Sequence, residues 1–167
     1  LLVIDFQQRF IPVIHAIDSV LKNAAIMIQG VQLLGAPVII TEQNPGGLGK
    51  TVPVIMDNVE NPVCIEKMTF SCIKDPGFQT VLDKNTADTI LVCGIESHIC
   101  VCQTVLDLLI NDYYNVHVIT DGISSRKLSD HQTSFKRMSI AGKEVLNMRY
   151  IQYMLFFNNK FCRGKIL

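Results

Sequence analysis

The sequence predicts an α/β protein: a three-layer α/β/α sandwich built on a mostly parallel sheet of about six strands. Two observations carry that expectation. Short apolar runs recur at 1–5 (LLVID), 37–41 (PVIIT), 63–67 (VCIEK), 89–93 (TILVC) and 116–120 (VHVIT), with helical patterns between them, and such alternation marks βαβ units. The runs are also nearly continuous in apolar residues rather than alternating, as strands covered on both faces are.

Taken in order, the first strand at 1–5 is followed by a long helix over 11–34 and the second strand at 37–41. An irregular stretch at 42–61, with NPGGLG inside it, is longer than a simple connection and reads as a loop over the sheet's rim. The third strand at 63–67 leads to a short helix over 77–84 and the fourth strand at 89–93. Gly94 turns the chain, Ser97 serves as N-cap, and a helix runs over 98–111 with Ile99, Cys102, Leu106 and Leu109 on its core stripe. The fifth strand at 116–120 precedes a helix over 130–141, a last strand at 144–147 and a helix over 149–157.

At 167 residues, 49% of them hydrophobic, residues 1–167 form one domain with a substantial core. Fifteen basic and fifteen acidic residues give zero net charge, so no electrostatic footprint for nucleic acid or an anionic membrane is visible. Only 18% of residues are charged, below the usual quarter, which implies apolar surface covered by another copy of the chain in a homo-oligomer. No apolar run reaches membrane-spanning length. The six cysteines are scattered and read as reduced thiols of an intracellular, cytoplasmic protein, although a targeting segment ahead of Leu1 would be invisible. No CxxC pair exists, and His15, His98, His117 and His131 show no zinc spacing with the cysteines, so neither a metal nor another cofactor is expected.

Ligands of such sheets bind outside the strands' carboxyl ends, here Asp5, Thr41, Lys67, Gly94 and Asp121. Cys100 falls in the first turn of the helix after the fourth strand, where free N–H groups and the helix dipole favour a thiolate nucleophile. Cys64, Cys72, Cys93, Cys102 and Cys162 read as packing residues. Asp5 is suited to accept the thiol proton and return it to a leaving amine, Lys67 to stabilise both anions, and the backbone N–H groups from Glu96 to Cys100 to receive an oxyanion. Phe6, Gln43, Phe70 and Ser97 are candidate pocket residues for a small-molecule substrate. Glu66 points to the face opposite Lys67. His98 reads as a surface or supporting group, and Thr104 as a brace or polar filler. Ser124, Ser125 and Arg126 either cap the next helix or serve an interface. A redox pair of Cys100 and Cys102 is disfavoured, because helix positions two apart face different ways.

These segments resemble the isochorismatase-like cysteine hydrolases, in particular the isochorismatase domain-containing subgroup. LLVIDFQQRF, TEQNPGGLGKT, IEKMTFSC, GIESHICVCQT and DGISSR are similar to family segments in the same order. The resemblance implies a Rossmann-like sandwich and a catalytic triad of Asp5, Lys67 and Cys100, with a non-proline cis peptide between Ile95 and Glu96. Nicotinamidases of the superfamily carry Asp and His metal ligands after the second strand, where this chain has Thr41, Glu42, Gln43 and Asn44; the resemblance therefore implies hydrolysis without metal. Since vinyl-ether cleavage by isochorismatases needs no cysteine nucleophile, the expected substrate is a small amide, ureide or related acyl compound, attacked to form a thioester. The alternative is a catalytically silent binding or scaffold member of the same fold.

Overall fold

The computed structural model describes residues 1–110, 115–141 and 145–146. Six strands form one sheet: β1 (Leu2–Ile4), β2 (Ile39–Gln43), β3 (Val63–Lys67), β4 (Thr89–Ile95), β5 (Asn115–Ser124) and β6 (Val145–Leu146). Their order is β3-β2-β1-β4-β5-β6, and every pairing is parallel. The expected sandwich is the one observed. The helix expected over 149–157 and Cys162 lie outside the described residues, as does the end of the helix expected to reach 111.

The side chains of β1 alternate between the two faces of the sheet, as strand geometry requires. Val3 joins a core with Leu91, Cys93 and Ile95 of β4 and with Val20, Ala24, Met27, Ile28 and Val31 of α1 (Ile17–Leu33). Leu2 and Ile4 join a second core with Ile90 and Val92. That second core takes in Phe78 and Leu82 of α4 (Pro76–Asp83), Val105 and Leu108 of α5 (Cys102–Ile110) and Met138 of α6 (Leu128–Ile140), labelled after the short helices α2 (Pro45–Leu48) and α3 (Pro53–Met56). None of the described helices is long and apolar enough to cross a membrane.

Four local expectations are corrected. The helix expected over 11–34 is a 3-10 turn at Ile11–Val13 followed by α1. His15 explains the break: its N–H donates to Ser125 O at 2.9 Å and its carbonyl accepts Ser124 Oγ at 2.7 Å, so β5 draws this segment out of helical geometry. Strand β5 runs through Asp121 to Ser124, which leaves Asp121 inside the strand rather than at its end. A register shift between Val92 and Gly94 lets Gly94 and Ile95 pair with Ile123 and Ser124. The buried stripe of α5 is Cys102, Thr104, Val105 and Leu108, so Cys102 faces the core as expected while Ile99, ahead of the helix, and Leu106 and Leu109 pack only partly buried against it. The stretch at 42–61 holds α2 and α3, each opened by a proline at its start, a position where the missing N–H costs nothing.

Gly94 is where the sheet tolerates no side chain. Its φ is +146°, and a Cβ there would lie 2.6 Å from Ile4 Cβ and 2.8 Å from Ile4 Cα. Close packing of β4 on β1 brings the turn after β4 beside the end of β1.

Candidate active site

Asp5 follows the last residue of β1 and has a left-handed backbone, φ 55°, which is uncommon outside glycine. Its N–H donates to Thr41 O at 3.1 Å, fixing that turn. Lys67 is the last residue of β3, two strands away, and its Nζ donates to Asp5 Oδ2 at 2.7 Å with both side chains at 0% exposure. The same ammonium reaches Gln43 Oε1 at 2.9 Å, Thr69 O at 3.2 Å and Phe70 O at 3.3 Å. Three protons facing four oxygens leave it no spare donor. Its influence on the site is the field of a fixed charge.

Cys100 belongs to a π-helical turn, Ser97–Val101, between β4 and α5. It is 4% exposed, and its thiol lies close enough to the Asp5 carboxyl for each to shift the other's protonation. Asp5, Lys67 and Cys100 are thus brought together from three stretches of chain. Burial pushes the Asp5 carboxyl above its ordinary range, outweighing the opposing pull of Lys67 and the hydrogen bonds from Thr41 and Cys100. Burial pulls Lys67 down, but the charge and hydrogen bond of Asp5 together with the neighbouring Cys72 and Cys100 outweigh it and hold the ammonium above its usual value. Burial, and next the Asp5 carboxylate, drive the Cys100 thiol well above the usual range, with Lys67 pulling more weakly the other way. The resting sulfur is therefore a thiol, which corrects the expected thiolate: a dry site beside a carboxylate outweighs the field of a helix start. A carboxylate made more basic by burial is well matched to receive that proton.

The peptide bond between Ile95 and Glu96 is cis. The Glu96 carboxylate accepts from Arg126 N (3.1 Å), Nε (3.1 Å) and Nη2 (2.9 Å), tying the turn before Cys100 to the end of β5. The Glu96 carbonyl accepts the N–H groups of Ile99 at 3.0 Å and Val101 at 3.3 Å, so Ile99 leaves the set of amides open to an oxyanion. Segment 124–126 does not cap α6, whose N-cap is Lys127; it fastens this turn.

A match of the isochorismatase domain to residues 1–149 accounts for this arrangement along nearly the whole chain. The chain belongs to the isochorismatase domain family. It is 37% identical over 139 residues to isochorismatase domain-containing protein 2A of Mus musculus, covering 83% of this chain and 65% of that one. To isochorismatase domain-containing protein 1 of Salmo salar it is 33% identical over 138 residues, covering 83% and 48%. The chain thus spans about half to two thirds of the length of these relatives. Among solved structures, a MAR1 ribonuclease from Caenorhabditis elegans superposes with a TM-score of 0.86 at 34% identity, covering 92% of this chain and 79% of that one.

Within this isochorismatase domain the other candidates divide. Gln43 stands beside the Asp5–Lys67 pair, accepting from Lys67 and donating from Nε2 to Met68 O at 3.0 Å. Phe70 offers its carbonyl to Lys67 while the residue as a whole is 53% exposed. Phe6 is completely buried in the core under α1. Ser97 is not an N-cap: Glu96 holds that position, and the buried Ser97 hydroxyl lies 2.6 Å from Ser125 Oγ, 3.1 Å from Ser134 Oγ and 3.2 Å from His131 Nδ1. His98 Nδ1 joins the same polar group at 2.9 Å from Ser125 Oγ. Glu66 faces outward and pairs with Lys50 at 2.7 Å. Among the described residues no group of three or more His, Cys, Asp or Glu side chains is placed to hold a metal ion. At the end of β2, Glu42 is engaged by Thr51 N, Thr51 Oγ1 and Lys50.

Sequence reasoning missed Gln7, whose Nε2 donates to Gln43 O and Gly49 O and whose Oε1 accepts Gln43 N. It also took Cys72 for packing alone, although that thiol lies against Thr41 beside Asp5. Both follow from the strand order, because β2 lies between β1 and β3 and its last residues must face whatever joins Asp5 to Lys67.

Proposed function

We propose that this chain is a metal-independent cysteine hydrolase that cleaves a small amide, ureide or related acyl compound through a thioester on Cys100. The observation that carries the reading is the buried Asp5 carboxylate in contact with both the Lys67 ammonium and the Cys100 thiol. Family membership supports hydrolysis. The metal-free assignment is supported by the β2 end, where Glu42 and Gln43 are consumed by protein partners.

In the first half-reaction Cys100 passes its proton to Asp5 as its sulfur adds to the substrate carbonyl carbon. The oxyanion is received by N–H groups of the turn around Glu96 to Cys100, the C–N bond breaks, and the departing nitrogen takes the proton held by Asp5. In the second half, water gives a proton to Asp5 as its oxygen attacks the thioester carbon. The C–S bond then breaks and Cys100 recovers the proton, releasing the acid. Lys67 keeps the resting carboxylate charged, ready to accept each proton, and holds it oriented through both halves. The exposed Leu33, Met68, Ile110 and Ile140 support assembly of the chain as a homo-oligomer.

The test is mass spectrometry of the protein after incubation with a panel of small amides, ureides and acyl compounds. An acyl adduct on Cys100, absent from Asp5→Asn, is expected; adducts spread over Cys64 and Cys102 alone would overturn the reading. Including short RNA in the panel separates this chemistry from the ribonuclease activity named for the nematode relative.

A further inference from the structure

Thr41 belongs to neither the expected triad nor the expected pocket, yet it touches Asp5 twice. Its carbonyl accepts the Asp5 N–H at 3.1 Å, and its Oγ1 donates to Asp5 Oδ1 at 2.7 Å. Lys67 holds the other oxygen, Oδ2, so each carboxylate oxygen has its own fixed donor. Thr41 is wholly buried, and a hydroxyl has one proton to give. What sends that proton to Asp5 is the third partner: Cys72 Sγ donates to Thr41 Oγ1 at 3.9 Å, filling its acceptor side. Cys72 is in turn held by its N–H, which donates to Thr104 Oγ1 at 3.0 Å, and Thr104 lies on α5, one turn beyond Cys100.

We infer that Thr41 is a positioning residue of the active site: with Cys72 and Thr104 behind it, its hydroxyl fixes the rotation of the Asp5 carboxylate and favours the charged form that receives the Cys100 proton. This rests on the proposed role of Cys100 and adds to it a residue that never touches substrate. The titratable groups facing Asp5 among the described residues are Lys67 from β3, Cys100 from the turn after β4 and Cys72 from the 3-10 turn Cys72–Lys74. The hydroxyl of Thr41 is the neutral donor among them.

The experiment follows the rate of Cys100 alkylation by iodoacetamide against pH in the wild type, Thr41→Val and Thr41→Ser. Valine keeps the shape and removes the donor. A hydrogen bond to a charged group is worth enough that its loss moves the acid limb of the profile upward by about one pH unit or more, with serine restoring the wild-type limb. A valine profile superimposable on the wild type overturns the inference. A wild-type Cys100 no more reactive than the exposed Cys64 overturns instead the proposed function on which it rests. Should valine prevent folding, carbon-13 titration of the Asp5 carboxyl in the wild type, Thr41→Ser and Thr41→Ala decides: an Asp5 that titrates lower in wild type than in Thr41→Ala, with serine matching wild type, sustains the inference, and equal values in all three refute it.

Discussion

Lys67 and Asp5 are separated by 62 residues in sequence and by the whole width of β2 in the sheet, yet they close to 2.7 Å with no solvent access to either side chain. A buried pair of this kind is costly to break, because removing one partner strands the other charge. Lys67→Met should destabilise the protein by about 3–5 kcal/mol at neutral pH, and adding Asp5→Asn should recover much of that loss. Burial already raises the Asp5 carboxyl, and losing the ammonium raises it further. The folded Lys67→Met protein therefore binds a proton that the unfolded chain releases, and its stability declines as pH rises from the unfolded carboxylate range up to the raised value of the folded Asp5. Urea unfolding of both variants at two pH values measures each effect.

Arg126 and Glu96 offer a second test, on the turn rather than the charges. Glu96 is 2% exposed and Arg126 is partly in solvent, so the loss falls on the buried carboxylate. Arg126→Ala keeps the backbone donor to Glu96 and removes two side-chain donors. It should cost about 1–2 kcal/mol after allowance for solvent screening, and slow Cys100 alkylation with little change in that of Cys64. Equal slowing at both thiols would show a global effect instead.

At Gly94 the expected outcome of any added side chain is a large loss of stability. An added methyl would sit 2.6 Å from Ile4 Cβ, a contact only a shift of β1 against β4 relieves. Gly94→Ala should lower stability by about 3 kcal/mol or more, read from the thermal midpoint. Gly30→Ala, with nothing within 4 Å, should match or exceed wild-type stability.

Alkaline pH should unfold the protein through its cysteines. Burial pushes Cys72 up to about 11 and Cys93 up to about 12, from an ordinary 9.0. Above pH 9 the unfolded chain loses thiol protons that the folded chain retains. The folded state then binds more protons, so stability falls as pH rises, by at most about 1.4 kcal/mol per unit for each thiol. The urea midpoint should drop from about pH 9 up to about pH 11, and Cys93→Ala should make that drop shallower.

The strands were legible because burial on both faces writes itself into the sequence as unbroken apolar runs, and TILVC and PVIIT could hardly be anything else. Asp5 and Lys67 stood out as charges at the ends of such runs. The state of Cys100 was not legible: its position in the chain pointed to a helix start, whereas its ionisation depends on how dry the site is and on which carboxylate lies against it. The break ahead of α1 was equally hidden. Nothing in residues 11–16 announces that His15 will bond to Ser124 and Ser125, more than a hundred residues on. The Glu96 clamp and the Thr41 hydroxyl share that character, being set by neighbours that only the strand order supplies.

Strand β1 lies between β2 and β4 although it precedes both in sequence. Each of those parallel neighbours arrives only after a crossover, so Asp5 has no partner until chain made much later has docked on either side. Lys67 must come in from the left and the thiol from the right before any proton can pass. A polypeptide still emerging during synthesis thus keeps Asp5, Lys67 and Cys100 apart, and the three meet only on completion of the native topology.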